Sequence, residues 1–296
     1  DSGHGLEEGS VAVPTITRGR VTFVDIPIPS GVVVPSAHLA VFSLADLNSR
    51  MDGKRGRPRR RVDITEVTFP FSQLHDYAKS IGVSPLSVLA PLMMKAFDDK
   101  FGGTDKPVIA EIPVDLRPLL PTLTTRYFIC FIDLPYFPEY RDLPNDEVFR
   151  RTKAFLKDQM QREQLLYRAK AAADRCESLH EADMPLAEKM QAAQKVTTDF
   201  VLEDSFLITN VGRFALPESC RPYVLDYGAI LPCAVQPFAL LISSYGDKMK
   251  LSVAQRDHDM QVVEDLCAGL RQLGIQPETL SYPFVVTRYN GLECGM

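Results

Sequence analysis

Two places in this sequence combine residue types that could do chemistry. The first is the stretch Asp204-Ser-Phe-Leu-Ile-Thr-Asn-Val-Gly-Arg-Phe-Ala-Leu-Pro-Glu218. In it, Thr209 and Asn210 put two hydrogen-bonding side chains at the end of an apolar, β-favouring run, just before Gly212 permits a bend. Polar groups so placed can face a cleft, and the same residues also read as a core strand with a turn-forming asparagine. The second place is His258 in Arg256-Asp-His-Asp259, where neighbouring carboxylates could raise the imidazole pKa for a general base. A solvated loop histidine is the other reading. The remaining histidines, His4, His38, His75 and His180, stand apart from one another, and no H-E-x-x-H spacing occurs. G-x-S-x-G, Walker A and G-x-G-x-x-G are absent too, which removes the usual sequence support for a hydrolase elbow, a P-loop or a dinucleotide site.

The elements that must position these residues can be read from periodicity. Residues 1 to 15 read as a loose polar arm, Thr17 to Pro27 alternates like a strand, and Val32 to Leu47 suggests a strand followed by a short helix. Lys54 to Arg61 holds six basic residues with Gly and Pro and is expected to be a surface loop. A nucleic-acid, anionic-lipid or CoA-phosphate patch is the alternative, and no aromatic residues interleave the run to support it. From Val62 a strand leads to a helix capped by Ser72. Ser84-Pro85 then opens a long apolar helix that stops at Gly102-Gly103. Val108 to Val114 and Tyr127 to Leu134 read as buried strands, Asn145 to Arg175 as one long helix, and Pro185 to Thr198 as further helix. Pro237 to Ser243 and Met249 to Ala254 form the clearest hairpin, and Asp259 to Leu273 an amphipathic helix. Strands and helices mix without a regular βαβ rhythm. The expected fold is therefore an α/β two-layer sandwich, a mixed open sheet with helices mainly on one face, in a lobe over 62–296 preceded by an arm, strand and basic loop over 1–61.

Composition bounds the rest. The chain has 296 residues, a net charge of −5 and a pI near 5.6, which argues against nucleic acid as a partner. Six scattered cysteines without C-x-x-C spacing read as small buried hydrophobes in a reducing compartment, with no metal site. No apolar run approaches the ~20 residues of a membrane span, and the polar start shows no signal peptide, so a cytoplasmic location is expected. A chain beginning at Asp1 fits a fragment or a processed product.

The ordered set Val83-Ser-Pro-Leu-Ser-Val-Leu-Ala90, Ile112-Pro-Val-Asp-Leu-Arg117, Ser205 to Arg213 and Ser243 to Ser252 resembles the condensation-domain-like acyltransferases. That superfamily includes chloramphenicol acetyltransferase, condensation domains of peptide synthetases, polyketide-associated acyltransferases and bacterial alcohol-acetyltransferase-like proteins, and the resemblance is nearest to the last. The match covers roughly residues 62 to 275 and corresponds to the second of two lobes flanking a tunnel. The family's catalytic His-His-x-x-x-Asp-Gly motif is absent here, so no catalytic residue is assigned to this chain. The resemblance implies acyl transfer from a CoA or carrier-protein thioester to a small hydroxyl or amine acceptor, completed by an N-terminal lobe, with no tightly bound cofactor. It places Thr209, Asn210 and Gly212 on the substrate wall. Asp115 and Arg117 would pair to hold a strand end, and Asp226-Tyr-Gly228 resembles a structural Asp-Phe-Gly of plant members. A non-catalytic module that docks a carrier protein or partner chain is the alternative.

Overall fold

A computed structural model describes residues 10–17, 20–27, 61–103, 105–120, 122–124, 128–202, 204–231, 233, 238–289 and 292–295. The expectations for Val32 to Leu47, and for the basic run before Arg61, lie outside these residues. The chain divides into two compact units. One comprises Asp1–Leu39, Pro113–Ile132 and Ala154–Thr197, and the other Ala40–Ile112, Asp133–Lys153 and Thr198–Met296.

The second unit is built on a mixed sheet. The strands of that sheet in chain order are β3 (Arg61–Pro70), β4 (Val108–Asp115), β5 (Ile129–Tyr136), β6 (Phe206–Arg213), β7 (Phe238–Tyr245), β8 (Lys248–Gln255), β9 (Glu278–Tyr289) and β10 (Leu292–Gly295), arranged β10-β9-β3-β8-β7-β6-β4-β5, and the end of β4 and the start of β5 fall among the residues counted in the first unit. β7 pairs antiparallel with β8 and parallel with β6, and β6 pairs parallel with β4. β7 and β8 are buried along nearly their whole length; β7 reads accordingly as an apolar run, whereas β8 alternates Met249, Leu251 and Val253 with Lys250 and Ser252.

Helix α1 (Phe71–Ser80) follows β3 directly, and α2 (Pro85–Phe101) follows α1. The α2 start matches its sequence signal: the Ser84 hydroxyl accepts the Ser87 N–H at 3.2 Å and Pro85 occupies the first helical position. The α1 start does not. Pro70 is its N-cap, and Ser72 sits inside the first turn, giving its N–H and hydroxyl to the Asp247 carboxylate at 2.7 and 2.8 Å. The cap is thus supplied from the β7–β8 turn, a partner that local sequence cannot reveal.

Phe97 of α2 anchors the helical layer. Its ring stacks on Phe206 of β6 at 4.8 Å and meets Phe238 of β7 edge-on at 5.6 Å, and all three side chains are fully buried. At the far end of α2 the buried Asp98 carboxylate receives both Nε and Nη2 of Arg141, at 2.7 and 2.8 Å. A last helix, Gln261–Gln272, packs beside α2 with Val262, Val263, Leu266 and Leu270 buried. The opposite face of the sheet carries a second cluster, Ile64, Ala239, Ala254 and Cys233. The expected two-layer α/β sandwich with a mixed sheet is what forms.

In the first unit β1 (Ser10–Thr17) and β2 (Arg20–Pro27) make an antiparallel hairpin, so the arm expected over residues 1 to 15 is a strand from Ser10 onward. The single helix expected over Asn145 to Arg175 is two, α3 (Asn145–Gln159) and α4 (Arg162–Glu181), separated where Gln161 turns extended at ψ 147°. No Gly or Pro marks that break. α5 (Leu186–Leu202) follows, and the Gln261–Gln272 helix is therefore α6. Leu120 and Leu166 are buried together in this unit, with Phe128 and Tyr167 against them. Among the described residues no single helix is long and apolar enough to cross a membrane.

Candidate functional site

The stretch Asp204 to Glu218 resolves into a strand with a defined irregularity. Phe206 and Ile208 point into the core. Asn210 then accepts the Gly212 N–H on its side-chain carbonyl at 2.9 Å, and the β6/β7 register shifts between these two residues. Gly212 has φ +72°, a left-handed conformation that a side chain would strain. The bulge pushes Val211 outward to 51% exposure and returns the chain to the sheet at Phe214, whose N–H bonds Ser244 O at 2.8 Å.

This bulge forms one wall of a cleft of about 320 Å³. Its apolar lining comes from Phe71, Pro85, Leu86 and Met249, and its polar lining includes Ser84, Asn210, Arg213 and Ser244. Among the described residues no histidine and no carboxylate lines it, and Arg213 is the one charged liner. The cleft thus offers hydrogen-bond donors and one cation at the ends of β6 and β7, beside the first turn of α2. It can hold and polarise a ligand, and it supplies no side-chain base. Of the sequence candidates, Asn210 and Gly212 line it and Thr209 does not. Thr209 pairs with Leu241 in the register one residue away from Asn210, on the opposite face of β6.

His258 lies at the other end of the sheet. Its Nδ1 contacts the Asp63 carboxylate, while Lys100 joins the neighbouring Asp257 and Asp259 at 2.8 and 3.2 Å. β8 runs from Met249, at the cleft, to Gln255, at the His258 end, a span of about 20 Å at ~3.3 Å per residue. His258 is therefore not brought to the cleft. Asp115 and Arg117 pair in the first unit: Arg117 Nη1 donates to Asp115 Oδ1 at 2.8 Å and the guanidinium also reaches Thr124 O.

Asp226 and Gly228 lie at the exposed edge of an ionic cluster around the buried Lys250 that sequence reading did not assemble. The Lys250 ammonium, on a side chain 8% exposed, contacts Glu66 at 2.9 Å and Asp226 at 3.0 Å, and the Tyr282 hydroxyl donates to Glu66 at 3.0 Å. A Cβ on Gly228 would lie 3.1 Å from the lysine chain, which would have to give by a few tenths of an ångström to admit one. Tyr227 stacks on Phe214 at 4.0 Å, fastening the segment after the bulge. Burial pushes the Asp226 carboxyl up, but hydrogen bonds from Lys250 and the Tyr227 N–H, with the charges of Lys250 and Lys248, outweigh it and hold the carboxyl below its ordinary value. For Lys250 burial works downward, and hydrogen bonds to Glu66 and Asp226 reverse it, leaving the ammonium's pKa raised. The signal available in sequence was weak, since Lys250 reads as an ordinary polar position in the alternation Lys248-Met-Lys-Leu-Ser-Val253.

Cys130, Cys233 and Cys267 are buried as expected, whereas Cys176 and Cys220 are exposed. Among the described residues no three His, Cys, Asp or Glu side chains gather as a metal site would require.

No protein-family model and no curated protein matches this sequence. Solved structures do. The chain is similar to the condensation domain that mediates chain release from the enacyloxin polyketide synthase, at 13% identity and TM-score 0.46 over 78% of this chain and 46% of that one. It is similar to polyketide synthase associated protein 5 from Mycobacterium tuberculosis, at 12% identity and TM-score 0.43 over 72% and 51%. It is similar to the wax ester synthase/diacylglycerol acyltransferase from Marinobacter aquaeolei VT8, at 14% identity and TM-score 0.41 over 78% and 54%. The chain spans about half the length of each of these three structures.

Proposed function

We propose that this chain is one lobe of an acyltransferase that moves an acyl group from a CoA or carrier-protein thioester to a hydroxyl or amine acceptor. The observation that carries this reading is the cleft at the Asn210–Gly212 bulge, which is lined by donors and a cation but by no base. A site of that kind can bind a carbonyl compound and stabilise developing negative charge on its oxygen. It needs a proton acceptor from elsewhere, and the sequence resemblance names one, the second histidine of His-His-x-x-x-Asp-Gly on an N-terminal lobe. That histidine would take the acceptor's proton as its oxygen or nitrogen attacks the thioester carbonyl, and the thiol would leave.

Joined to a lobe bearing that motif, the protein should release free thiol from acyl-CoA or an acyl-carrier thioester only when an alcohol or amine is present. Asn210→Ala in the joined protein should lower kcat/KM by about tenfold, the loss expected for one charge-stabilising contact or its support. Equal turnover by the isolated chain, or an unchanged rate after the motif histidine is replaced, would overturn the proposal.

A second reading, a non-catalytic module that docks a carrier protein or partner chain, is favoured by one feature. Tyr223 and Leu225, on the segment after the bulge, are 85% and 90% exposed, more than large apolar side chains ordinarily are without a partner. Partner binding that survives Asn210→Ala in a protein that never consumes an acceptor would select this reading.

A further inference from the structure

The lining of the cleft bears on which molecules it takes. Phe71, Leu86 and Met249 offer apolar contact, whereas Ser84, Ser244 and Arg213 are polar and converge on the same space. Among the described residues no acidic side chain lines the cleft, and no ion pair joins Arg213 to a carboxylate. The acidic group nearest in sequence to the lining, Asp247, has both oxygens engaged by Ser72. Among the described residues, then, no carboxylate compensates Arg213 beside this small, largely apolar cleft, in a chain whose net charge is −5.

We propose that the cleft selects a small organic carboxylate, with the carbon skeleton against Phe71, Leu86 and Met249 and the carboxylate on Arg213, assisted by the Ser84 and Ser244 hydroxyls. This deepens the acyl-transfer reading, since it makes the acyl group or the acceptor that enters from this side a carboxylate-bearing one. A guanidinium suits the role because its fork of N–H donors matches the two carboxylate oxygens, and a lysine in its place would give a point charge without that match. A cleft of about 320 Å³ lies at the small end of small-molecule sites, which limits the skeleton to a short chain or a single ring.

The test is direct binding to the chain as it stands, so it needs no catalysis. Methionine methyl groups are labelled with carbon-13 and the Met249 resonance is followed by NMR during titration with hexanoate, hexan-1-ol and hexyl phosphate. Hexanoate should shift Met249 saturably and bind at least tenfold more tightly than hexan-1-ol. Arg213→Ala should erase that preference, and Arg213→Lys should retain only part of it. Arg213 is exposed, so both variants should keep the remaining methionine resonances in place. Equal binding of acid and alcohol, an unchanged preference in Arg213→Ala, or saturation by hexyl phosphate alone would each overturn the proposal. The two readings also fail separately. Carboxylate binding in a protein that never transfers an acyl group leaves this site standing, and acyl transfer without carboxylate preference leaves only the transfer reading.

Discussion

Asn210 holds Gly212 in place: the asparagine side-chain carbonyl accepts the glycine N–H at 2.9 Å across the point where β6 slips register against β7. A Cβ at Gly212 would meet nothing within 4 Å, so the cost of Gly212→Ala is backbone strain alone, about 1 kcal/mol. Gly212→Asn should cost less, because asparagine tolerates the left-handed region. Asn210→Ala removes one hydrogen bond at an exposed site and should also cost about 1 kcal/mol. Urea unfolding of the three variants checks the order, and a Gly212→Ala penalty well above this size would mean that a side chain does clash there.

The Lys250 cluster makes stability depend on pH in a defined window. Asp226 is held below its ordinary value, so its contribution is present above the unfolded carboxylate pKa of about 4 and is lost as pH falls through the folded value. Lys250 is raised, so its contribution is present below about pH 10 and is lost as pH rises through its folded value. The groups that face the ammonium are Glu66, Asp226 and, through Glu66, Tyr282, while Lys248 lies 3.6 Å from Asp226. Asp226→Asn should therefore lower Tm between roughly pH 5 and pH 9 and match the wild type more closely at either extreme. Circular dichroism melts across this range check it, and a gap that does not vary with pH would contradict the assignment.

Arg141→Ala should be among the most damaging single changes in the second unit. The Asp98 side chain is 3% exposed and loses two charge-assisted hydrogen bonds at once. Breaking one side of such a pair costs about 3 kcal/mol or more, whereas replacing both members with apolar residues of similar size costs much less. Chemical denaturation of Arg141→Ala and of Arg141→Met with Asp98→Leu should show that contrast. Equal losses would assign the effect to packing.

Brief iodoacetamide treatment of the native protein should label Cys176 and Cys220 and spare Cys130, Cys233 and Cys267. Burial pushes the Cys130 thiol up to about 11 and the Cys233 thiol up to about 12, which adds a chemical barrier to the steric one. Peptide mapping by mass spectrometry reads the pattern, and early labelling of Cys233 would mean that the segment over it opens freely.

Much of this architecture was legible because local chemistry and tertiary role agree. The α2 start at Ser84-Pro85, the β7–β8 hairpin and the Asn210–Gly212 bend each carry their cause within a few residues. What could not be read depends on partners far along the chain. Asp247 reaches Ser72 across 175 positions, Lys250 reaches Glu66 from another strand, and Arg213 faces Ser84 and Leu86 only because α2 begins beside β6. The α3–α4 break was hidden for a different reason, since nothing in Gln159-Met160-Gln161 is a strong helix breaker.

The bond between Asp247 and Ser72 also has a mechanical result. One carboxylate clasps the first turn of α1 to the tip of the β7–β8 hairpin, and Phe71 N–H adds a second stitch to Asp247 O at 2.6 Å. The rim formed by Phe71, Gly246 and Met249 is thereby an anvil. The opposite wall is held by other bonds, from Asn210 to Gly212 and from Phe214 to Ser244, so the two sides of the cleft are fastened independently.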